Sequence, residues 1–142
     1  MVKNRTSAFA LLIALTAFIV SAAVGAEFYV DAQNGDDNNT GAAWGDAFST
    51  IGNAMASCTG SSSDVIHVAA ATYHESINFK SNTVLLGGYP AGGGARHPEI
   101  HQTIIDGSGH QSILAFVAAE NCTVDGFTLQ NGSASSGGAI YC

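Results

Sequence analysis

The chain has 142 residues, 46% of them hydrophobic and 11% charged, with a formal net charge of −7. That length holds at most one ordinary domain, and an acidic surface repels phosphate backbones and anionic lipid, so nucleic acid is not an expected partner. The three cysteines, Cys58, Cys122 and Cys142, have no C-x-x-C or other metal-ligand spacing, so zinc is not expected either.

Lys3 and Arg5 precede an uncharged apolar stretch from Ala8 to Val20, and small residues follow as far as Ala26. This is the layout of a secretory signal peptide over residues 1–26. The alternative is an uncleaved anchor, because residues 8–26 are just long enough to span a bilayer. Cleavage leaves Lys80 and Arg96 as the only basic residues against all eleven acidic ones. It also places the remainder in an exported, oxidising setting, where an odd cysteine count leaves one thiol unpaired or joined to another chain.

Residues 27–60 read as an N-terminal cap. "EFYVD" (27–31) is a short strand rich in aromatic and β-branched residues, and "DAQNGDDNNTG" (31–41) is a polar loop of turn formers. In that loop Asp31, Asp36, Asp37 and Asn38 are the candidate calcium ligands, since calcium takes several oxygens from a flexible acidic segment. Asp36, Asn38 and Gly41 hold EF-hand offsets, but position twelve is Ala47 where a bidentate Glu belongs, which excludes an EF-hand. The competing reading is a turn built from Asn, Asp and Gly. Calcium aside, no cofactor is expected. Phe48, Ile51, Met55 and Cys58 then recur at helical spacing, predicting a short helix over 46–58 with Asp46 at its start, one apolar stripe, and a weak point at Gly52.

Beyond residue 60 the pattern changes to short apolar runs: "VIHV" (65–68), "INF" (77–79), "VLL" (84–86), "TII" (103–105), "SILAFV" (112–117) and "TVDGFTL" (123–129). Gly, Asn, Ser and Asp clusters separate them and no helical period intervenes, so the expectation is all-β. Alternation points His67 to the face opposite Ile66. Lys80 and Arg96, the latter in a Gly-rich insertion (88–102), read as solvated, and Gly92 to Gly94 read as a flexible corner, because no Lys-Ser/Thr follows to make a phosphate loop. Histidines 67, 74, 97, 101 and 110 share no metal spacing and no Ser lies in a G-x-S-x-G elbow, so no catalytic residue is assigned. The chain closes on a small-residue corner, Gly132 to Gly138, and a fresh apolar run, Ala139 to Tyr141.

Thr83-Val84-Leu85, Thr103-Ile104-Ile105 and Thr123-Val124-Asp125 recur at a lag of twenty, with Ser63-Asp64-Val65 as a weaker predecessor. A period near twenty favours a solenoid over a sandwich of hairpins.

The segments "FYVDAQNGDDNNTGAAWGDAFSTI", "DVIHVAAATYHESI", "TVLLGGYPAGGGARHP", "TIIDGSG", "VDGFTLQNG" and "SGGAIYC" together resemble the start of secreted bacterial proteins with a right-handed parallel β-helix, the fold shared with pectate lyases. The likeness covers nearly all of the chain after the signal segment. It implies an all-β, right-handed parallel β-helix solenoid, incomplete at the C-terminus, with a short N-terminal capping α-helix. Residues 61–142 would then form the first two or three coils. If Cys122 and Cys142 occupy equivalent places on successive coils, strand spacing brings them within disulfide reach, and Cys58 stays buried under the cap.

Two function classes follow from the resemblance. One is an exported, non-enzymatic cell-surface or extracellular protein acting as an adhesin, spacer or glycan-binding module. The other is the N-terminal part of a polysaccharide-processing enzyme such as a calcium-dependent lyase, although neither Lys80 nor Arg96 sits in a matching lyase motif. The expected partners are an extracellular polysaccharide and, at an open C-terminal strand edge, another chain.

Overall fold

A computed structural model describes residues 24–109 and 112–142. Residues 1–23 of the expected signal segment, and His110, lie outside the described residues. Among the described residues no helix is long and apolar enough to cross a membrane.

Alternation in the strongest apolar runs has its expected consequence. In β2 (Asp64–Ala69), Ile66 and Val68 are fully buried while Val65 and His67 lie half-buried on the other face. In β5 (Thr83–Tyr89), Thr83 and Leu85 are buried and Val84 and Leu86 face out. Around them lie β1 (Glu27–Val30), a 3-10 turn (Trp44–Asp46), α1 (Ile51–Ser57), β3 (Thr72–Tyr73), β4 (Ile77–Asn78), β6 (Thr103–Asp106), β7 (Leu114–Ala115), β8 (Thr123–Asp125), β9 (Phe127–Gln130) and β10 (Ile140–Tyr141).

These strands form three sheets, β1-β2-β5-β8, β3-β6-β9 and β4-β7-β10, and every pairing is parallel. From β2 onward the chain visits the first, second and third sheet in turn and repeats that circuit as β2-β3-β4, β5-β6-β7 and β8-β9-β10. Side chains from all three sheets meet in one core that includes Val30, Ile66, Val68, Leu85, Ile105, Ile113 and Leu114. Burying each such side chain contributes about 1.5–3 kcal/mol.

The register corrects the twenty-residue lag. Asp64 lies beside Thr83 and Val84 beside Thr123, offsets of nineteen and thirty-nine residues, while Thr103 belongs to a different sheet and lies beside Phe127. The insertion 88–102 lengthens the second circuit, so equal sequence spacing does not mean equal position. The run "TVDGFTL", read as one strand, is two: Gly126, with φ of 80°, turns the chain from β8 in the first sheet to β9 in the second. A Cβ there would sit 2.7 Å from the Gly87 carbonyl oxygen, so this corner admits only glycine without a shift. "SILAFV" shrinks to the two residues of β7, and the two-residue β3 has no apolar run to announce it.

The expected helix over 46–58 is shorter, and Asp46 does not cap it. Thr50 is the N-cap, its side chain accepting from the Asn53 N–H at 3.3 Å. Phe48 is extended and bridges Val30, whereas Asp46 accepts from the Thr40 N–H and hydroxyl. Ile51, Ala54 and Met55 form the buried stripe, and α1 packs against β1, β2 and β4.

Two side chains flanking β4 hold the ends of α1. Glu75 accepts from the N–H groups of Ile51 at 3.0 Å and Gly52 at 2.7 Å, which no residue inside the helix can satisfy. Lys80, expected to be solvated, instead donates to the carbonyls of Ala56 at 2.5 Å and Cys58 at 2.7 Å. Acid at the N-terminus and base at the C-terminus both complement the helix dipole.

This bracket yields a stability prediction. Glu75→Ala, which strands two N–H groups, should lower the unfolding free energy by about 1–3 kcal/mol, and Lys80→Met by about 1 kcal/mol. Urea unfolding reads both as lower midpoints at unchanged slope; midpoints equal to the parent chain would show that α1 is held by its apolar stripe alone.

Candidate functional site

The outward face of the first sheet carries the densest group of interacting polar and aromatic side chains. Strand register aligns Tyr29, His67, Leu86 and Asp125 in one row across β1, β2, β5 and β8. Between His67 and Ala69 the register of β5 slips by one residue, setting Tyr89 beside Ala69, on the same parity as His67. Trp44 arrives from the 3-10 turn. Four rings then close a square: Tyr29 stacks on His67 at 4.9 Å, Trp44 meets Tyr29 edge-on at 5.1 Å and lies tilted against Tyr89 at 5.3 Å, and His67 meets Tyr89 edge-on at 5.2 Å.

Two separate hydrogen bonds tie the rings of the square. His67 Nδ1 lies 2.8 Å from the Tyr89 hydroxyl, and the Tyr29 hydroxyl donates to Glu27 Oε2 at 3.0 Å. His67 Nε2 is 3.4 Å from the same Glu27 oxygen, near enough for attraction but without hydrogen-bond geometry, so this buried nitrogen has no hydrogen-bond partner. Burial pushes the His67 pKa down and outweighs the Glu27 carboxylate, which favours the neutral imidazole. The Glu27 hydrogen bond and burial raise the Tyr29 pKa, and burial raises that of Tyr89 against the opposing pull of Arg96. Both phenols therefore stay protonated near neutral pH, and the group offers hydrogen bonds and ring faces rather than a strong base.

Arg96, also expected to be solvated, is half-buried. Its Nε donates to the Gly87 carbonyl at 2.7 Å and its Nη2 forms an ion pair with Asp125. The Gly92 N–H donates to Asp31 at 2.7 Å, and Gly93 lies so close to Trp44 that a Cβ would fall 2.4 Å from the indole. The 88–102 insertion is thus a strap pinned at Asp31 and Trp44 at one end and at Asp125 at the other, not a flexible corner.

The four calcium candidates do not converge. Asp31 is buried and accepts from the N–H groups of Gln33, Asn34 and Gly92 and from the Asn34 amide. Asp36 accepts from the Asn38 N–H and side-chain amide, and Asp37 from the N–H groups of Ser49 and Thr50 and the Thr50 hydroxyl. Among the described residues no three acidic, His or Cys side chains are grouped to hold a metal.

Two further acids of this kind were not singled out in the sequence. Asp64 is fully buried and accepts from the N–H groups of Ala26 and Thr59 and the hydroxyls of Thr59 and Ser62. Asp106 accepts from the Ser108 N–H and the amides of Gln130 and Asn131. Burial works to raise the pKa values of Asp31, Asp37 and Asp64, but these donors outweigh it and hold each below the usual range.

All three cysteines are free thiols. Cys122 precedes β8 in the first sheet and Cys142 follows β10 in the third, so they do not stack, and the disulfide expected between them is not formed. Cys58 is buried beside α1, as expected, and burial pushes its thiol pKa up to about 11.

The family described as "Protein of unknown function (DUF1565)" matches residues 33–141. The chain belongs to the DUF1565 family. No curated protein and no solved structure matches it. The DUF1565 span takes in Trp44, His67, Tyr89 and Arg96 together with the strap, while Glu27 and Tyr29 precede it.

The pKa shifts give the DUF1565 chain a two-stage acid response. For His67 the folded pKa is below the ordinary 6.5, so its contribution is present above that pH and is lost as pH falls through the folded value. For Asp31, Asp37 and Asp64 the folded values lie below 3.8, so their contribution is lost in a second, lower window. Glu75 runs oppositely: burial raises it above 4.5, so its contribution is present below that pH and is lost as pH rises. Urea midpoints measured at pH 7, 5 and 3 should fall in two steps, with His67→Gln removing the upper step and sparing the lower. An upper step of unchanged size in that variant would show that His67 does not cause it.

Proposed function

We propose that this chain opens a right-handed parallel β-helix in an exported, extracellular or cell-surface protein, and that it serves as a non-enzymatic glycan-binding module rather than a lyase. The repeated circuit through three parallel sheets supports the β-helix, as does membership of a family commonly found in β-helix-type proteins. Right-handedness is the sense almost all parallel crossovers take.

One observation carries the non-enzymatic reading: the chain's buried and lowered acids each accept several hydrogen bonds from its own backbone and side chains, which makes them ties rather than proton carriers. The lyase alternative requires a free base and a cation to neutralise a uronate. Lys80 is engaged by the end of α1, and Arg96 by Asp125 and Gly87. With two basic residues against eleven acidic ones after residue 26, the surface favours neutral or amino-bearing sugars over polyuronates.

The ligand face in this reading is the square of Tyr29, Trp44, His67 and Tyr89. Its rings supply apolar faces for sugar C–H groups, and the exposed carboxylates of Glu27 and Asp125 accept from hydroxyl or ammonium groups. Trp44 is the only tryptophan, which makes its fluorescence a direct reporter.

Titration with cello-, xylo- and chito-oligosaccharides should shift Trp44 emission saturably for at least one of them, and Tyr29→Ala should weaken that binding about tenfold. Polygalacturonate with added calcium should be neither bound nor cleaved. Emission unmoved by every sugar would remove the glycan reading, and release of unsaturated uronides would replace it with the lyase.

A further inference from the structure

The strap ends in a single helical turn that leaves two imidazoles side by side. The His97 carbonyl accepts from the Ile100 N–H at 3.0 Å and from the His101 N–H at 2.8 Å, so the two histidines stand one turn apart. Positions so spaced share a face. Their rings meet there with centroids 6.5 Å apart and planes tilted by 49°. In the sequence these histidines lie in an irregular insertion, where a spacing of four carries no geometry; the turn supplies it.

The backbone beneath the pair is fixed from both sides. The His97 N–H donates to the Gly88 carbonyl at 2.7 Å, and the Gly88 N–H donates to Thr103 Oγ1 at 2.9 Å. Pro98 packs so closely that a Cβ on Gly88 would fall 2.7 Å from the Pro98 Cα. The turn is thus held between the end of β5 and the start of β6, while His97 is exposed and His101 half-buried. Only ring rotations are left for a ligand to fix, which keeps the ordering cost of binding low.

We propose that His97 and His101 form a two-imidazole clasp for a borderline divalent transition ion, copper(II) ahead of zinc(II), with water in the remaining positions. Imidazoles bound to one ion through nitrogens at about 2.0–2.1 Å place their ring centres roughly 5–6 Å apart, so ring rotation closes the clasp without backbone movement. The donor set selects the ion. Calcium and magnesium take oxygen ligands, whereas neutral imidazole suits copper, nickel and zinc, and copper(II) heads that series.

The surroundings favour a cation. Glu99 is exposed on the same turn, and the neighbouring Arg96 is turned away, engaged by the Gly87 carbonyl and Asp125. Two basic residues against eleven acidic ones after residue 26 also raise the local cation concentration. A site with two protein ligands agrees with there being no group of three His, Cys, Asp or Glu suited to a metal among the described residues. An ion that binds only the folded turn stabilises the fold by mass action.

The inference is independent of the glycan reading and has its own test. The full chain is titrated with copper(II) and zinc(II) at neutral pH by calorimetry, in a Cys122→Ser, Cys142→Ser background that removes the two thiols that are not buried. One ion should bind per chain, copper more tightly than zinc, with a rise in Tm and no competition from calcium. His97→Ala and His101→Ala should each weaken binding about a hundredfold, and His74→Ala should leave it unchanged. Moving the second ring by one position, His101→Ala with Ile100→His, keeps both rings on one face and should recover most of the affinity. Moving it the other way, His101→Ala with Gln102→His, should not. Affinity unchanged by either alanine variant would overturn the proposal, and so would equal affinity at every spacing, which is the mark of single-histidine adventitious binding.

Discussion

Parallel pairing between one circuit of the chain and the next is the constraint on which every other contact here depends. Parallel strands cannot be joined by a two-residue hairpin. After β2 the chain must therefore travel through β3 and β4 before β5 can lie beside it, and that detour is what encloses a core. Phe28, Ile66, Leu85 and Val124 lie side by side across four strands of the first sheet. A slip of one residue in any strand would turn its members outward and bring in Val65, Val84 or their equivalents. Register is therefore set twice, by apolar parity along each strand and by the corners that end it.

Those corners explain how an acidic chain with few cations folds compactly. Turning from sheet to sheet leaves backbone N–H groups without ladder partners, and such groups must be satisfied when buried. Asp31, Asp37, Asp64 and Asp106 each collect N–H groups where the backbone leaves a regular element, and Glu75 does the same at the start of α1. Much of the negative charge is thus matched by peptide dipoles rather than by Lys or Arg. The loss of stability expected at low pH has that origin.

Much of the strand pattern was legible because it depends on near neighbours. β1, β2, β5 and β6 follow from runs of alternating or β-branched residues, and His67 was correctly placed on the face opposite Ile66 by parity alone. The failures lie where distant contacts decide. β3 has two residues and no run. The division at Gly126 depends on Gly87 lying against it, thirty-nine residues earlier in the chain. The helix begins at Thr50 rather than Asp46 because Phe48 is drawn into an extended bridge with Val30. The aromatic square was not legible at all: Tyr29, Trp44 and Tyr89 carry no shared spacing, and the slip in β5 that delivers Tyr89 has no local signal. The acidic loop stayed ambiguous for a different reason, since Asp and Asn at short spacing serve a turn and a cation equally well; the structure adds that Asp31, Asp36 and Asp37 accept from nearby backbone and side-chain donors.

The strap over residues 88–102 links these themes. It interrupts the even spacing of the circuits, which is why a fixed sequence lag failed, yet it is held against the first sheet, with Gly93 close to Trp44 and Arg96 donating to the Gly87 carbonyl. Its attachments run along the stack rather than around it, from Asp31 and Trp44 at the base to Asp125 on the third circuit. Repeats of a solenoid contact chiefly their neighbours; the strap, part of the second circuit, touches the third through Arg96 and passes over the first to reach Asp31 and Trp44 beside β1.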